Sequence, residues 1–132
     1  MRYLGIDYGS KCVGLALSDD DGKMGFPHTV LTNTPALLEE VTKLIEEEGV
    51  QTVVFGDSKN LDGEENAIQQ ELKDFAEKLG VNAGVTIDFE PEYYTTKQAK
   101  DAQKLAGKES ERADAIAAAI ILTSYLERHG NN

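Results

Sequence analysis

"YLGIDYGSKCVGLALSD" occupies residues 3–19. Residues 2–8 read as a strand, and residues 12–18, "CVGLALS", read as its partner. Tyr8, Gly9, Ser10 and Lys11 supply the turn between them. Asp7 therefore stands at the end of a strand, a carboxylate within a largely hydrophobic stretch. Two accounts suit it. It caps the turn that follows through Asx-type hydrogen bonding, or it is a metal ligand that needs rigid strand support.

Working outward, "DDDGK" (19–23) is a second turn and residues 24–31 make a third strand, which completes an antiparallel meander. From Pro35 the apolar period changes. Leu37, Leu38, Val41, Leu44 and Ile45 fall on one helical face, with Thr34 as N-cap, Pro35 in the first helical position and Gly49 as the stop. "VQTVVFG" (50–56) has the continuous apolar character of a buried parallel strand. After the polar loop 57–66, a second amphipathic helix runs to Leu79, with Ile68, Leu72, Phe75, Ala76 and Leu79 inward and Gly80 as its stop. "AGVTIDFE" (83–90) is a fifth strand. A short helix over about 95–106 and a last helix from about Glu111 to Glu127, capped by Ser110, end the chain. The order β-β-β-α-β-α-β-α-α predicts an α/β fold, with a mixed five-stranded sheet of three antiparallel and then two parallel strands, flanked by helices. Residues 1–132 read as one domain.

Composition narrows the chemistry. The single cysteine, Cys12, excludes an intrachain disulfide, and His28 and His129 lie far apart. Metal chemistry must therefore rest on carboxylates, which suits Mg2+ or Mn2+. No apolar run is long enough to span a bilayer, and no signal-peptide pattern opens the chain, so the protein reads as cytoplasmic with no membrane partner. The formal charge of −11 opposes sequence-independent nucleic-acid binding. Lys97, Lys100, Lys104, Lys108 and Arg112 offset it by recurring along one short stretch, while the acid concentrates in residues 39–48 and 64–92.

Two more acids join Asp7. Asp114 opens "DAIAAAIILTSYL" and shares a helical stripe with Ala117, Ala118, Ile121 and Tyr125. In the first turn it would gain a helix-dipole interaction of roughly 0.3–1 kcal/mol. The neighbouring alanines also let this helix lie close to the sheet, where a carboxylate is costly unless a cation pairs with it. Glu92 follows the fifth strand, with Glu90 as its close competitor; for either, a solvated loop acid is the commoner fate. In a mixed sheet Asp7, Glu92 and Asp114 can converge. Three like charges persist together when a divalent ion neutralises them. Two such ions about 4 Å apart can activate water and stabilise the leaving oxygen in phosphodiester hydrolysis.

"GIDYGSKCVGLALSD", "LDGEEN", "EYYTTKQA" and "RADAIAAAIILTSYL", in this order and spacing, resemble the four motif regions of the YqgF family. Members of this RuvX-like group are described as candidate Holliday junction resolvases and, in bacteria, as nucleases of pre-16S ribosomal RNA. The resemblance covers nearly the whole chain and implies a ribonuclease H-like fold. It aligns Asp7, Glu92 and Asp114 with the family's catalytic, metal-binding acids. It matches Gly9 and Gly14 to the glycines of the first motif, Thr95 and Thr96 to a hydroxyl pair, and Asn60, Asp62 and Gly63 to the loop after the fourth strand. The family usually has arginine at Cys12 and Tyr93, aspartate at Pro91, and a proline in place of part of "GDSKN". Two lost arginines mean fewer phosphate contacts, which Lys11 and Lys59 replace in part.

Three functions compete. The first is a Mg2+- or Mn2+-dependent nuclease for ribosomal RNA precursor or branched DNA, with Lys11, Lys59, Asn60, Thr95, Thr96, Lys97, Lys100 and Lys104 on the nucleic acid and Gly9, Gly14 and Gly63 shaping loops. The second is a catalytically weak binding partner of nucleic acid or in ribosome maturation. The third is a nucleotide-phosphate binder of the actin and sugar-kinase type, which normally needs two domains. A monomer and a homodimer both suit the sequence.

Overall fold

The computed structural model describes residues 1–57, 67–91 and 110–129. Strands β1 (Arg2–Tyr8), β2 (Cys12–Ser18) and β3 (Gly25–Thr32) form the expected antiparallel meander. Helix α1 (Leu37–Glu48) carries the chain back across the sheet, so that β4 (Val50–Asp57) pairs parallel with β1. Helix α2 (Ala67–Ala83) leads into β5 (Thr86–Pro91), parallel with β4. The sheet order is β3-β2-β1-β4-β5, and helix α3 (Ser110–His129) follows. The helix expected over 95–106 lies outside the described residues.

Strand alternation splits the side chains between two layers. Leu4, Ile6, Val13, Leu15, Val53 and Phe55 point to one face. There they pack on Leu37, Val41 and Ile45 of α1 and on Leu72, Ala76 and Leu79 of α2. Fully burying such side chains contributes about 1.5–3 kcal/mol each. The other face carries Ala16 and Val54, covered by Ala118, Ala119, Ile121, Leu122, Tyr125 and Leu126 of α3. The stripe predicted through Ala117, Ala118, Ile121 and Tyr125 is buried throughout.

Three boundaries differ from the sequence reading by more than two residues or in their capping residue, and the others agree or shift by one or two. Helix α1 begins at Leu37, because Thr34, Pro35 and Ala36 form a turn in which Thr34 Oγ1 accepts the Ala36 N–H at 3.2 Å. Gly49 does end it, with φ at 68° and its N–H donated to the Ile45 carbonyl. Gly80 does not end α2. The helix continues to Ala83, and Gly84, with φ at 67°, provides the stop by donating its N–H to the Gly80 carbonyl. Gly80 instead gives close packing, since a Cβ there would stand 3.0 Å from Ile87 Cγ1. The longer helix also delays β5 to Thr86. Among the described residues no helix is long and apolar enough to cross a membrane.

Candidate functional site

The contact that organises the site is made by a glycine. Gly14 on β2 is the register partner of Asp7 on β1. A Cβ at Gly14 would lie 2.0 Å from the Asp114 carbonyl oxygen and 2.2 Å from its carbonyl carbon. The main chain of α3 is therefore seated directly on β2 at this point. Asp7 stands one strand away, about 4.5–5.5 Å between paired Cα atoms. The strand end and the helix start thus bring Asp7 and Asp114 to adjoining backbone positions, and both side chains are partly buried. Asp114 also lies close to the N-terminus of α3, where the helix dipole favours negative charge.

Small residues extend this seat. A Cβ at Gly5 would stand 2.8 Å from Leu122 Cβ and 2.9 Å from the Ala118 carbonyl oxygen. At Gly25 the nearest atoms would be the Leu122 side chain at 3.0 Å and the Ala119 carbonyl oxygen at 3.1 Å. The Thr123 hydroxyl accepts the Gly25 N–H at 3.0 Å, a polar tie in the same contact.

The turn after Asp7 is held from β3. Asn33 donates its side-chain amide to the Gly9 carbonyl at 2.8 Å and its backbone N–H to the Lys11 carbonyl at 2.9 Å. A Cβ at Gly9 would meet the Cys12 carbonyl oxygen at 2.6 Å, so the turn is too tight for a larger residue. Lys11 is exposed on this turn, and Cys12 is a partly buried free thiol. Asn33 had no signal beyond its place after a strand. Tyr8 points to the opposite face and donates its hydroxyl to Glu71 at 3.3 Å. Burial raises the Tyr8 pKa above its ordinary value, with Asn33 opposing and the Glu71 charge reinforcing.

Glu90 departs from the expectation of a solvated loop acid. It lies within β5 and is only 3% exposed. Its register partner is Gly56 on β4. Ile6 pairs with Phe55, so the next step along both strands brings Asp7 beside Gly56. Gly14, Asp7, Gly56 and Glu90 thus form one row across the sheet, on the α3 face. Glu90 Oε2 accepts from Arg128 Nη1 at 3.1 Å, while its buried Oε1 has no hydrogen-bond partner. Two residues earlier, Asp88 accepts the Tyr125 hydroxyl at 2.8 Å. Burial first, then the bond to Asp88 and its charge, push the Tyr125 hydroxyl up to about 12. The alternation Asp88, Glu90 against Ile87, Phe89 was the available signal for this two-sided strand.

Glu92, Lys59, Asn60, Gly63, Thr95, Thr96, Lys97, Lys100 and Lys104 lie outside the described residues. Among the described residues no group of three acidic, histidine or cysteine side chains is gathered as a metal site. The donor set at Asp7 and Asp114 is hard oxygen, which fits Mg2+ or Mn2+. A surface groove of about 480 Å³, lined mainly by Ala76, Gly80, Val81, Ile87 and Phe89, sits between α2 and β5, on the face opposite Asp114.

The sequence model of the RuvX family, described as Holliday junction resolvase, matches residues 1–128. The chain belongs to the RuvX family. A Maridesulfovibrio salexigens relative, named as a candidate pre-16S rRNA nuclease, is 36% identical over 134 residues, covering 97% of this chain and 99% of its own. An Anaeromyxobacter relative of the same name is 36% identical over 140 residues, covering 98% and 99%. Among solved structures, Thermus thermophilus RuvC in complex with Holliday junction substrate superposes with a TM-score of 0.62 at 18% identity, covering 98% of this chain and 97% of that one. The Fowlpox virus resolvase bound to junction DNA gives 0.59 at 14%, covering 97% and 98%. At these identities the two structures establish the fold, which is ribonuclease H-like. The RuvX motif regions that contain Asp7 and Asp114 are those that meet at Gly14.

Proposed function

We propose that this chain is a divalent-metal-dependent endonuclease that hydrolyses phosphodiester bonds in structured nucleic acid, with the precursor of 16S ribosomal RNA as its substrate. The observation that carries the reading is the seat of Asp114 on Gly14, beside Asp7. Two acids held at adjoining backbone positions repel one another, and a cation relieves that repulsion. Asp7, Asp114 and Glu92 are the residues that would hold Mg2+ or Mn2+. Bound there, the ion supplies an activated water and a counter-charge for the leaving oxygen. The chain supplies rigidity: Asp7 on a central strand, Asp114 at a helix start, and a turn pinned by Asn33 that carries exposed Lys11 toward a phosphate. The relatives' name supports ribosomal RNA, and the family description supports a four-way junction as the competing substrate.

Labelled pre-16S rRNA and a four-way DNA junction, each incubated with magnesium, manganese or chelator, test the reading. Metal-dependent cleavage of the RNA, lost in Asp7→Asn and Asp114→Asn, is the expected result. Cleavage of the junction alone would change the substrate. No cleavage of either by folded protein would place the chain among non-catalytic partners of ribosome-maturation factors.

A further inference from the structure

We propose that Arg128 binds a backbone phosphate of the nucleic acid away from the cleaved bond, and that buried Glu90 aims it; the inference rests on the nuclease reading above. The pair is asymmetric. The Glu90 side chain is 4% exposed, whereas that of Arg128 is 57% exposed. A buried carboxylate must be paired, so Arg128 is bound to this position. The cation itself remains open to solvent. The contact uses Nη1 of Arg128 and one oxygen of Glu90, and Glu90 Oε1 is left without a partner. A closed fork would engage both carboxylate oxygens. Here the guanidinium keeps four of its five N–H donors clear of Glu90.

The base of Arg128 is also fixed. Tyr125, three residues earlier on α3, donates to Asp88, two residues before Glu90 on β5. The His129 ring lies 4.5 Å from that of Tyr125. Two strand residues and two helix residues thus clasp the last turn of α3 to the sheet edge, and the guanidinium presents its free edge from a fixed anchor. Planar recognition of phosphate by arginine gains from such pre-organisation.

The position suits a supporting contact. Glu90 lies in the Asp7 row, two strands away, or about 10 Å at the usual strand spacing. Arg128 is 14 residues beyond Asp114 on α3, about 21 Å along the helix axis. A strand crossing the carboxylates can reach Arg128 with a neighbouring phosphate, not with the one being cleaved. Arg2, the other arginine whose side chain is described, is occupied by Asp20 and Glu48 at the opposite end of β1.

The test uses the full chain with a fluorescein-labelled RNA hairpin and a labelled four-way DNA junction. Calcium replaces magnesium in the binding titrations, which run from 50 to about 200 mM salt, the range over which phosphate contacts show. Arg128→Ala weakens binding several-fold and lowers the slope of log affinity against log salt by about one. Arg128→Lys falls between it and wild type. In magnesium, Arg128→Ala raises KM while kcat at saturation holds. Tyr125→Phe breaks the other half of the clasp without removing the cation, so it weakens binding less than Arg128→Ala does and leaves the salt slope as in wild type. Unchanged affinity and slope in folded Arg128→Ala would overturn the proposal, as would equal binding losses in Arg128→Ala and Tyr125→Phe. Asp7→Asn separates the two claims, since it keeps the wild-type salt slope, which counts phosphate contacts, and does not cleave. If Asp7→Asn cleaves, the assignment of the site fails while the Arg128 titration still stands; if wild type binds neither probe, both readings fall.

Discussion

The two faces of the sheet are built by opposite means. On the α1 and α2 face, large side chains such as Leu4, Ile6, Leu15 and Phe55 meet a matching layer of helix residues. Helix and strand backbones are held apart by the thickness of those side chains. On the α3 face, Gly5, Gly14 and Gly25 meet Ala118, Ala119 and the Asp114 main chain with almost nothing between. Bulk supplies stability on the first face. On the second, the lack of bulk supplies position, because it brings an acid on a helix to an acid on a strand. Asp7, Asp114, Asp88, Glu90 and Arg128 all belong to the α3 side, where Tyr125 donates to Asp88 and Arg128 to Glu90.

Substitutions on the two faces should therefore fail in different ways. Phe55→Ala, at a fully buried position, should cost about 3–5 kcal/mol in denaturant unfolding. Cleavage per folded molecule should stay near wild type. Gly14→Ala should cost less stability, about 1–3 kcal/mol, since α3 must back away from β2. It should nevertheless abolish most cleavage, because the shift separates Asp114 from Asp7. If Gly14→Ala cleaves as well as wild type, close approach is not what builds the site. Gly5→Ala sharpens the comparison. It meets Leu122 and Ala118, not Asp114, so it should lower the melting temperature while retaining more cleavage than Gly14→Ala.

The smallest effect expected is a pH dependence that Tyr125 contributes on the α3 side. Tyr125 has a folded pKa of about 12, above its ordinary 10. A raised folded pKa means that the stabilisation is fully present below pH 10 and is lost as pH rises through 12. Melting curves between pH 9 and 12 should therefore fall more steeply for wild type than for Tyr125→Phe. Parallel curves would contradict a raised folded pKa for Tyr125.

Much of this was readable in the chain because short-range chemistry governs it. The meander followed from alternating apolar runs with short polar turns, and Asp7 stood out as a carboxylate at a strand end. The close approach of α3 was legible in its alanines. What escaped depended on pairing partners distant in sequence. Gly80 has the composition of a helix stop, yet it packs closely on Ile87 and the helix continues to Ala83. Glu90 was weighed as a loop acid, because nothing local announces that Arg128, 38 residues later, will pair with it. Asn33 pins the turn after Asp7 only because β3 returns beside β2.

Manganese binding measured by calorimetry tests the central claim, that Asp7 and Asp114 act as one metal site because of Gly14. Wild type, Asp7→Asn, Asp114→Asn and the double variant would be titrated, with melting curves to confirm that each is folded. Each single substitution should weaken binding about tenfold or more, and the double should lose less than the sum of the two, as expected for residues that share one ion. Manganese affinity untouched by either substitution would contradict the account.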